Sequence, residues 1–280
     1  MKRRSFLAAS VSAASLSVIG GGETHASAAA AQRAGIPDKG ATSKQVLDMR
    51  KYTFNSLEKR RAFEGFLVRG LVPALNRLGI RPVGVFTLNQ ADNPEAKFEG
   101  QEESDLFVLV PHPTIKSVAT LDTRLAADSA YVAALAALNE GPKDPAYVRY
   151  ESSLLLAFDA FPRVEVPTQA ASRVLQLRIY ESYNAERSRR KVRMFNEGGE
   201  IQIFRAAGMH PVFFGHAFSG ARLPNLTYLL AFENESAMKS AWDTFGKHPD
   251  WLKLKDDPLY RDTVSAITNR VLRPAEGSQI

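Results

Sequence analysis

Two short strings hold the side chains best suited to chemistry. Asp48-Met49-Arg50-Lys51-Tyr52 and Gln176-Leu177-Arg178-Ile179-Tyr180 each place an arginine two residues before a tyrosine. In an extended strand, residues two apart share a face. Arg50 and Tyr52 therefore point the same way, as do Arg178 and Tyr180. A guanidinium beside a phenol can hold a carboxylate or an enolate, or it can close a structural ion pair, with Asp48 the nearest partner. His216 is the single polar ring in the apolar run Val212 to Phe218. It could act as a general base, serve as an axial haem ligand, or sit as a hydrogen-bonded core residue. His112, between two prolines, reads as loop. His210 and His248 read as turn and helix-end residues. No His-x-x-x-His or His-Glu-x-x-His spacing is present, so no metal site is expected. There is no cysteine, hence no thiolate ligand, thiol nucleophile or disulfide. Gly-x-Ser-x-Gly, Gly-x-Gly-x-x-Gly and phosphate-loop motifs are also missing. No motif implies a cofactor; haem on His216 is the alternative left open.

The two strings belong to a larger self-similarity. Val46 to Tyr52 (VLDMRKY) returns as Val174 to Tyr180 (VLQLRIY), Val72 to Phe86 returns as Ile201 to Gly215, and Asp144 to Tyr147 returns as Asp257 to Tyr260. The order is kept at a similar offset, which points to one small domain written twice. Each copy reads as strand, helix, strand, strand, helix, strand. In the first copy Phe63, Phe66, Leu67, Leu71, Leu75 and Leu78 form a buried helical stripe. Gly79 and Gly208 end the first helices. The second helices are expected at Ile115 to Asn139 and Glu235 to Gly246.

This pattern gives an α+β fold. Two ferredoxin-like βαββαβ units each form a four-stranded antiparallel sheet with helices on one face. The bare faces must be covered, so the sheets are expected to pair as an α/β-barrel with a cavity between them. Alternation puts Leu47 and Met49, or Leu175, Leu177 and Ile179, on one face. The expectation is that these meet the helices, leaving Arg50, Tyr52, Arg178 and Tyr180 to look into the barrel with His216.

Residues 1–28 read as a twin-arginine export signal: Arg3-Arg4, an apolar stretch from Ala8 to Ile19, and a small-residue site at Ala26-Ser27-Ala28. A flexible leader (29–43), a first domain (44–162), a short linker and a second domain (173–274) follow. The net charge of +6 includes +2 from Lys2, Arg3 and Arg4 against Glu23. Much of the rest lies in Glu186 to Arg193, with five basic residues in eight. That run reads as a solvated helix face or a patch for an acidic partner. An exported chain without aromatic residues interleaved in its basic patch is not expected to bind nucleic acid. After signal cleavage no membrane span is expected.

The ending Arg50-Lys51-Tyr52 with Arg178-Ile179-Tyr180, the string Pro73 to Gly79 before Val83 to Phe86, and Trp242 to Phe245 leading into His248-Pro249-Asp250-Trp251 together resemble the NIPSNAP family of the dimeric α/β-barrel superfamily. The first copy departs from that pattern, with Leu121 and Tyr131 where tryptophans would stand. The resemblance implies the barrel fold and names no reaction. Superfamily relatives include cofactor-free monooxygenases and haem enzymes. The reading is an exported protein holding a small, largely apolar or phenolic ligand between its sheets. A cofactor-free monooxygenase-like enzyme, a protein-interaction module and a homodimer are the alternatives.

Overall fold

A computed structural model describes residues 43–98, 102–138 and 141–280. The export signal, with Arg3 and Arg4, and the leader to position 42 lie outside the described residues. Eight strands appear where alternation places them: β1 Val46–Thr53, β2 Gly84–Leu88, β3 Leu106–His112, β4 Arg149–Ala157, β5 Val174–Glu181, β6 His210–Ser219, β7 Asn225–Phe232 and β8 Ala266–Pro274. They close into one antiparallel barrel in the order β1-β3-β2-β8-β5-β7-β6-β4. Cut between β2 and β8 and between β4 and β6, this ring gives two sheets, β4-β1-β3-β2 and β8-β5-β7-β6. Both have the ferredoxin-like order, so the expected α/β-barrel of two such units is what the chain forms. Closure leaves no bare sheet edge.

The seams are short. Between β2 and β8 only Phe86, Thr87 and Leu88 pair, with Pro274, Arg273 and Leu272. Asn93 lengthens this seam from the loop after β2. Its carboxamide accepts from Val271 N at 2.7 Å and donates to Val271 O at 2.9 Å, standing in for a strand backbone. Asp92 anchors the same loop through a paired contact with Arg273.

The helices cover the outside. In the first unit α1 (Leu57–Phe66) runs through a π-helical turn (Leu67–Leu71) into α2 (Val72–Arg77). The extra residue falls just before Pro73, which has no N–H to continue the regular ladder. The single helix expected from Ile115 is broken into α3 (Ile115–Ala119), α4 (Leu121–Ala126) and α5 (Ser129–Leu138). Asp128 enforces the last break by accepting from Tyr131 N while holding Arg77. In the second unit α6 (Ala185–Asn196) and α7 (Glu200–Ala206) are split at Gly198-Gly199, and α8 (Glu235–Lys247) and α9 (Pro249–Lys255) follow. Gly79 and Gly208 do end their helices, at φ 74° and 83°, where a side chain would be strained.

Three apolar cores result. Two are sheet-to-helix layers: Tyr52, Phe63, Leu75 and Val108 in the first unit, and Tyr180, Phe195, Phe204 and Tyr228 in the second. The third draws residues from all eight strands and none from a helix, with Leu47, Phe86, Leu109, Leu155, Leu175, Phe213, Leu229 and Leu272 among them. It is the barrel interior. Val164 of the linker packs against it, and Ile280 is buried within it. Gln279 pairs with Val83, across from Gly84, and fixes which end these segments close.

Candidate functional site

The faces are inverted from the expectation. Leu47, Met49, Leu175 and Leu177 line the barrel interior. Tyr52, Arg178, Tyr180 and His216 lie outside it, between sheet and helices, and Arg50 shares that outer face while also bordering the cavity at the open end of the barrel. Alternation groups residues by face but does not say which face meets a helix. The fully apolar face won the barrel because only side chains can fill that space. The helix layers also carry polar partners, so they accept the mixed face.

In the first unit Arg50 is an ion-paired strut. Its Nε donates to Asp48 at 2.6 Å, and Asp48 also accepts from Ser152 Oγ at 2.6 Å. Asp48 raises the Arg50 pKa further, against the burial that would lower it. Burial raises the Tyr52 phenol. Among the residues named in advance, Arg50 and Tyr52 are thus neighbours, as the strand spacing requires.

His112 is not loop. It ends β3 with no exposure, Nδ1 3.0 Å from Ser117 Oγ. Burial lowers its pKa to about 4. A lowered folded value means the unfolded chain binds the proton more readily. Stability from this group is therefore complete above about pH 6.5 and is lost as pH falls toward 4. The expected loss is roughly 3 kcal/mol. Chemical denaturation across that window should show it, and His112→Phe should flatten it.

In the second unit Arg178 lies over the Trp242 ring at 4.6 Å and the Tyr180 ring at 5.3 Å. Tyr228 donates to Tyr180 at 2.9 Å. Sequence reading missed Lys191 and Glu200. They form a buried ion pair at 2.9 Å beneath α6 and α7, with Lys191 over Phe195 at 4.8 Å. Lys191 thus leaves the basic run. Arg193 pairs with Glu197 at 2.6 Å, Arg190 pairs with Glu186, and Arg187 donates to the Arg261 carbonyl at 2.7 Å. The rest of the run is an outward helix face on which four arginines share two carboxylates, Glu186 and Glu197.

His216 faces α6, with Nε2 3.4 Å from Ser188 Oγ. Burial lowers its pKa. The short span between ring and helix leaves no slot for a porphyrin on that nitrogen. The residues present do not fit haem. Among the described residues no three His, Asp or Glu side chains gather as a metal site. Nor is any described helix long and apolar enough to cross a membrane.

A cavity opens at the barrel end opposite Val164 and Ile280. It measures about 520 Å³. Met49, Phe107, Leu155, Leu177 and Ile179 make its apolar wall, and Arg50, Lys51, Arg222 and Arg270 border it together with one carboxylate, Glu151. Lys51 pairs with Asp105 at 3.3 Å, Arg222 donates to Thr268 at 2.7 Å, and Arg270 lies over Phe98 at 5.6 Å. The hairpin between β6 and β7 frames the opening. Gly220, at φ 128°, passes so close to Ser153 that a Cβ would sit 2.6 Å from its hydroxyl.

Fold and site define a single-chain α/β-barrel of two ferredoxin-like units, hollow at one end. Residues 175–279 match the NIPSNAP family model, which covers the second unit. No curated protein matches the chain. Solved structures that align along most of the chain include two with a TM-score above 0.5. A "putative monooxygenase" from Lactobacillus acidophilus aligns at TM-score 0.55 and 12% identity, covering 83% of this chain and 94% of its own. Another from Fusobacterium nucleatum aligns at 0.51 and 7%, covering 83% and 93%. At these identities the likeness is one of fold. An uncharacterised NIPSNAP-like domain protein from Burkholderia xenovorans aligns over 39% of this chain and 91% of its own, at TM-score 0.35 and 17% identity.

Proposed function

We propose that the protein binds a small, largely apolar ligand in the open mouth of its barrel. The observation that carries this reading is the cavity of about 520 Å³, apolar in its wall and basic at its rim. Ligand pockets typically span about 300–1,000 Å³, with a few polar groups that fix orientation. The wall would take up a hydrocarbon or aromatic body. The rim cations favour a polar or anionic end left near water. Native mass spectrometry of protein purified from its own host tests this. The expected spectrum carries an adduct of small-molecule mass that collisional activation releases. A spectrum showing only the bare chain under gentle conditions contradicts it.

Binding is proposed to take place outside the cytoplasm, on the support of the Arg3-Arg4 pattern and the small-residue site at Ala26-Ser27-Ala28. Changing both arginines to lysine should leave the precursor inside the cell, read by immunoblot of cell fractions. Unaltered export would refute the twin-arginine route.

A further inference from the structure

The two units treat the same arginine differently. Arg50 and Arg178 occupy matching places on the first strand of each sheet. Arg50 pairs across to Val108 and Ser152, and Arg178 to Tyr228 and Asn269, in the third and fourth strands of their units. In the first unit the residue two before the arginine is Asp48, which binds its Nε at 2.6 Å. In the second unit that residue is Gln176, which carries no charge. Its amide is also engaged elsewhere. The carbonyl oxygen accepts from Trp242 Nε1 at 2.6 Å, and the amide nitrogen donates to Asn269 at 3.0 Å. Arg178 Nε is buried and has no hydrogen-bond partner. Among the described residues no carboxylate lies within ion-pair distance of its guanidinium.

The nearby charges do not supply the missing anion. Glu200 is already bound to Lys191 at 2.9 Å. Two cations therefore face one carboxylate beneath these helices. Arg178 is partly buried with its Nε shut off from water and unbonded, and an incoming anion that accepts from its guanidinium makes charge-assisted hydrogen bonds that the protein does not supply. The approach is open on the β8 side. Asn269, directly across from Arg178, is exposed, and Ile267 beside it is 53% exposed. The walls at the guanidinium are aromatic, Trp242 and Tyr180.

From this we infer that Arg178 is the centre of a second binding site, outside the barrel, for a small aromatic or otherwise planar carboxylate. The ligand carboxylate takes the place that Asp48 holds in the first unit, its oxygens accepting from the free guanidinium N–H groups. Its body lies over the outer face of β8 against Trp242. This site is separate from the barrel mouth and does not depend on it.

The chain has two tryptophans, and one of them is in the site. Indole fluorescence of the full protein titrated with benzoate therefore reads occupancy, with benzamide as the neutral isostere. The expected result is a saturable change with benzoate and at least a tenfold weaker response to benzamide. Arg178→Gln should weaken benzoate at least tenfold. Gln176→Asp, which restores the first unit's internal carboxylate, should weaken it as far while the far-ultraviolet dichroism stays native. Equal responses to benzoate and benzamide, no saturable response, or unchanged benzoate binding in Arg178→Gln would each overturn the inference. Should either variant lose its native dichroism, the wild-type comparison of benzoate with benzamide decides alone.

Discussion

Lys191→Met is expected to remove about 3–5 kcal/mol of folding stability at neutral pH, a fall in Tm of roughly 10 °C for a chain of this size. Lys191 and Glu200 are both almost fully enclosed, at 5% and 2% side-chain exposure. Together they satisfy each other, with Lys191 Nζ also 3.2 Å from Met194 Sδ. Methionine matches the stem of lysine in volume, so little cavity is made. What remains is a carboxylate that has lost its only bonded cation inside an aromatic layer, with Arg178 acting on it from beyond ion-pair distance. Burial already raises the Glu200 pKa even with the lysine present, and losing Lys191 removes the main opposing influence. A raised folded value means the folded state holds the proton more tightly than the unfolded chain. The favourable contribution is full below the ordinary carboxyl pKa and declines as pH rises through the folded value. The deficit of the variant should therefore shrink as pH is lowered from 7 to 5. Urea denaturation at both values measures it. Lys191→Met combined with Glu200→Gln should recover most of the loss. A deficit below 1 kcal/mol, or one that does not change with pH, would contradict the placement of this pair.

The second large effect is expected at Asn93. Its carboxamide makes both hydrogen bonds of a strand residue to Val271, beside a seam only three pairs long. Asn93→Ala leaves a buried N–H and C=O unmet, at about 1–3 kcal/mol each. A total loss of roughly 2–5 kcal/mol follows, concentrated where β2 meets β8. Asn93→Asp retains the acceptor but sets an anionic oxygen against the Asn89 and Val271 carbonyls, so it should cost at least as much as Asn93→Ala. Hydrogen exchange at the Val271 amide locates the effect, with protection falling in Asn93→Ala before the rest of β8 changes. Unchanged protection at Val271 would show that the seam does not rely on the side chain.

These two predictions concern residues that strand and helix patterns do not mark. Asn93 sits in a loop whose spacing carries no period, and only the closed ring gives it a strand to pair with. Lys191 hides within five basic residues, and nothing in the run distinguishes the one that turns inward. The path of the chain was far more legible. Both β1 and β5 lie where alternation puts them. That is because a two-residue period and the ending glycines are local signals. Facing is not local. Leu175, Leu177 and Ile179 on one side and Gln176, Arg178 and Tyr180 on the other were correctly grouped. The groups were assigned to the wrong layers because both sides of a barrel wall are buried. The ordinary rule that the apolar side meets the helices then fails. His216 followed the same inversion, for it points at Ser188 and not into the barrel. Of the wall residues, Met49, Leu177 and Ile179 stand in the sequence on the face expected to pack on the helices, whereas Phe107 and Leu155 join them only when the ring closes.

An apolar ligand held in the hollow end of the barrel must compete with any side chain that fills the same space. Ile179 belongs to the wall of that cavity and is only half-buried, so a larger side chain there enters the open space with little disturbance of the packed interior. The most direct measurement is titration with 1-anilinonaphthalene-8-sulfonate, an apolar fluorophore with one anionic end, of the wild type and of Ile179→Trp. The account predicts a saturable, one-to-one rise in emission for the wild type, reduced at least tenfold in affinity by Ile179→Trp and unaltered by Arg178→Gln. Equal binding by the wild type and Ile179→Trp would contradict it.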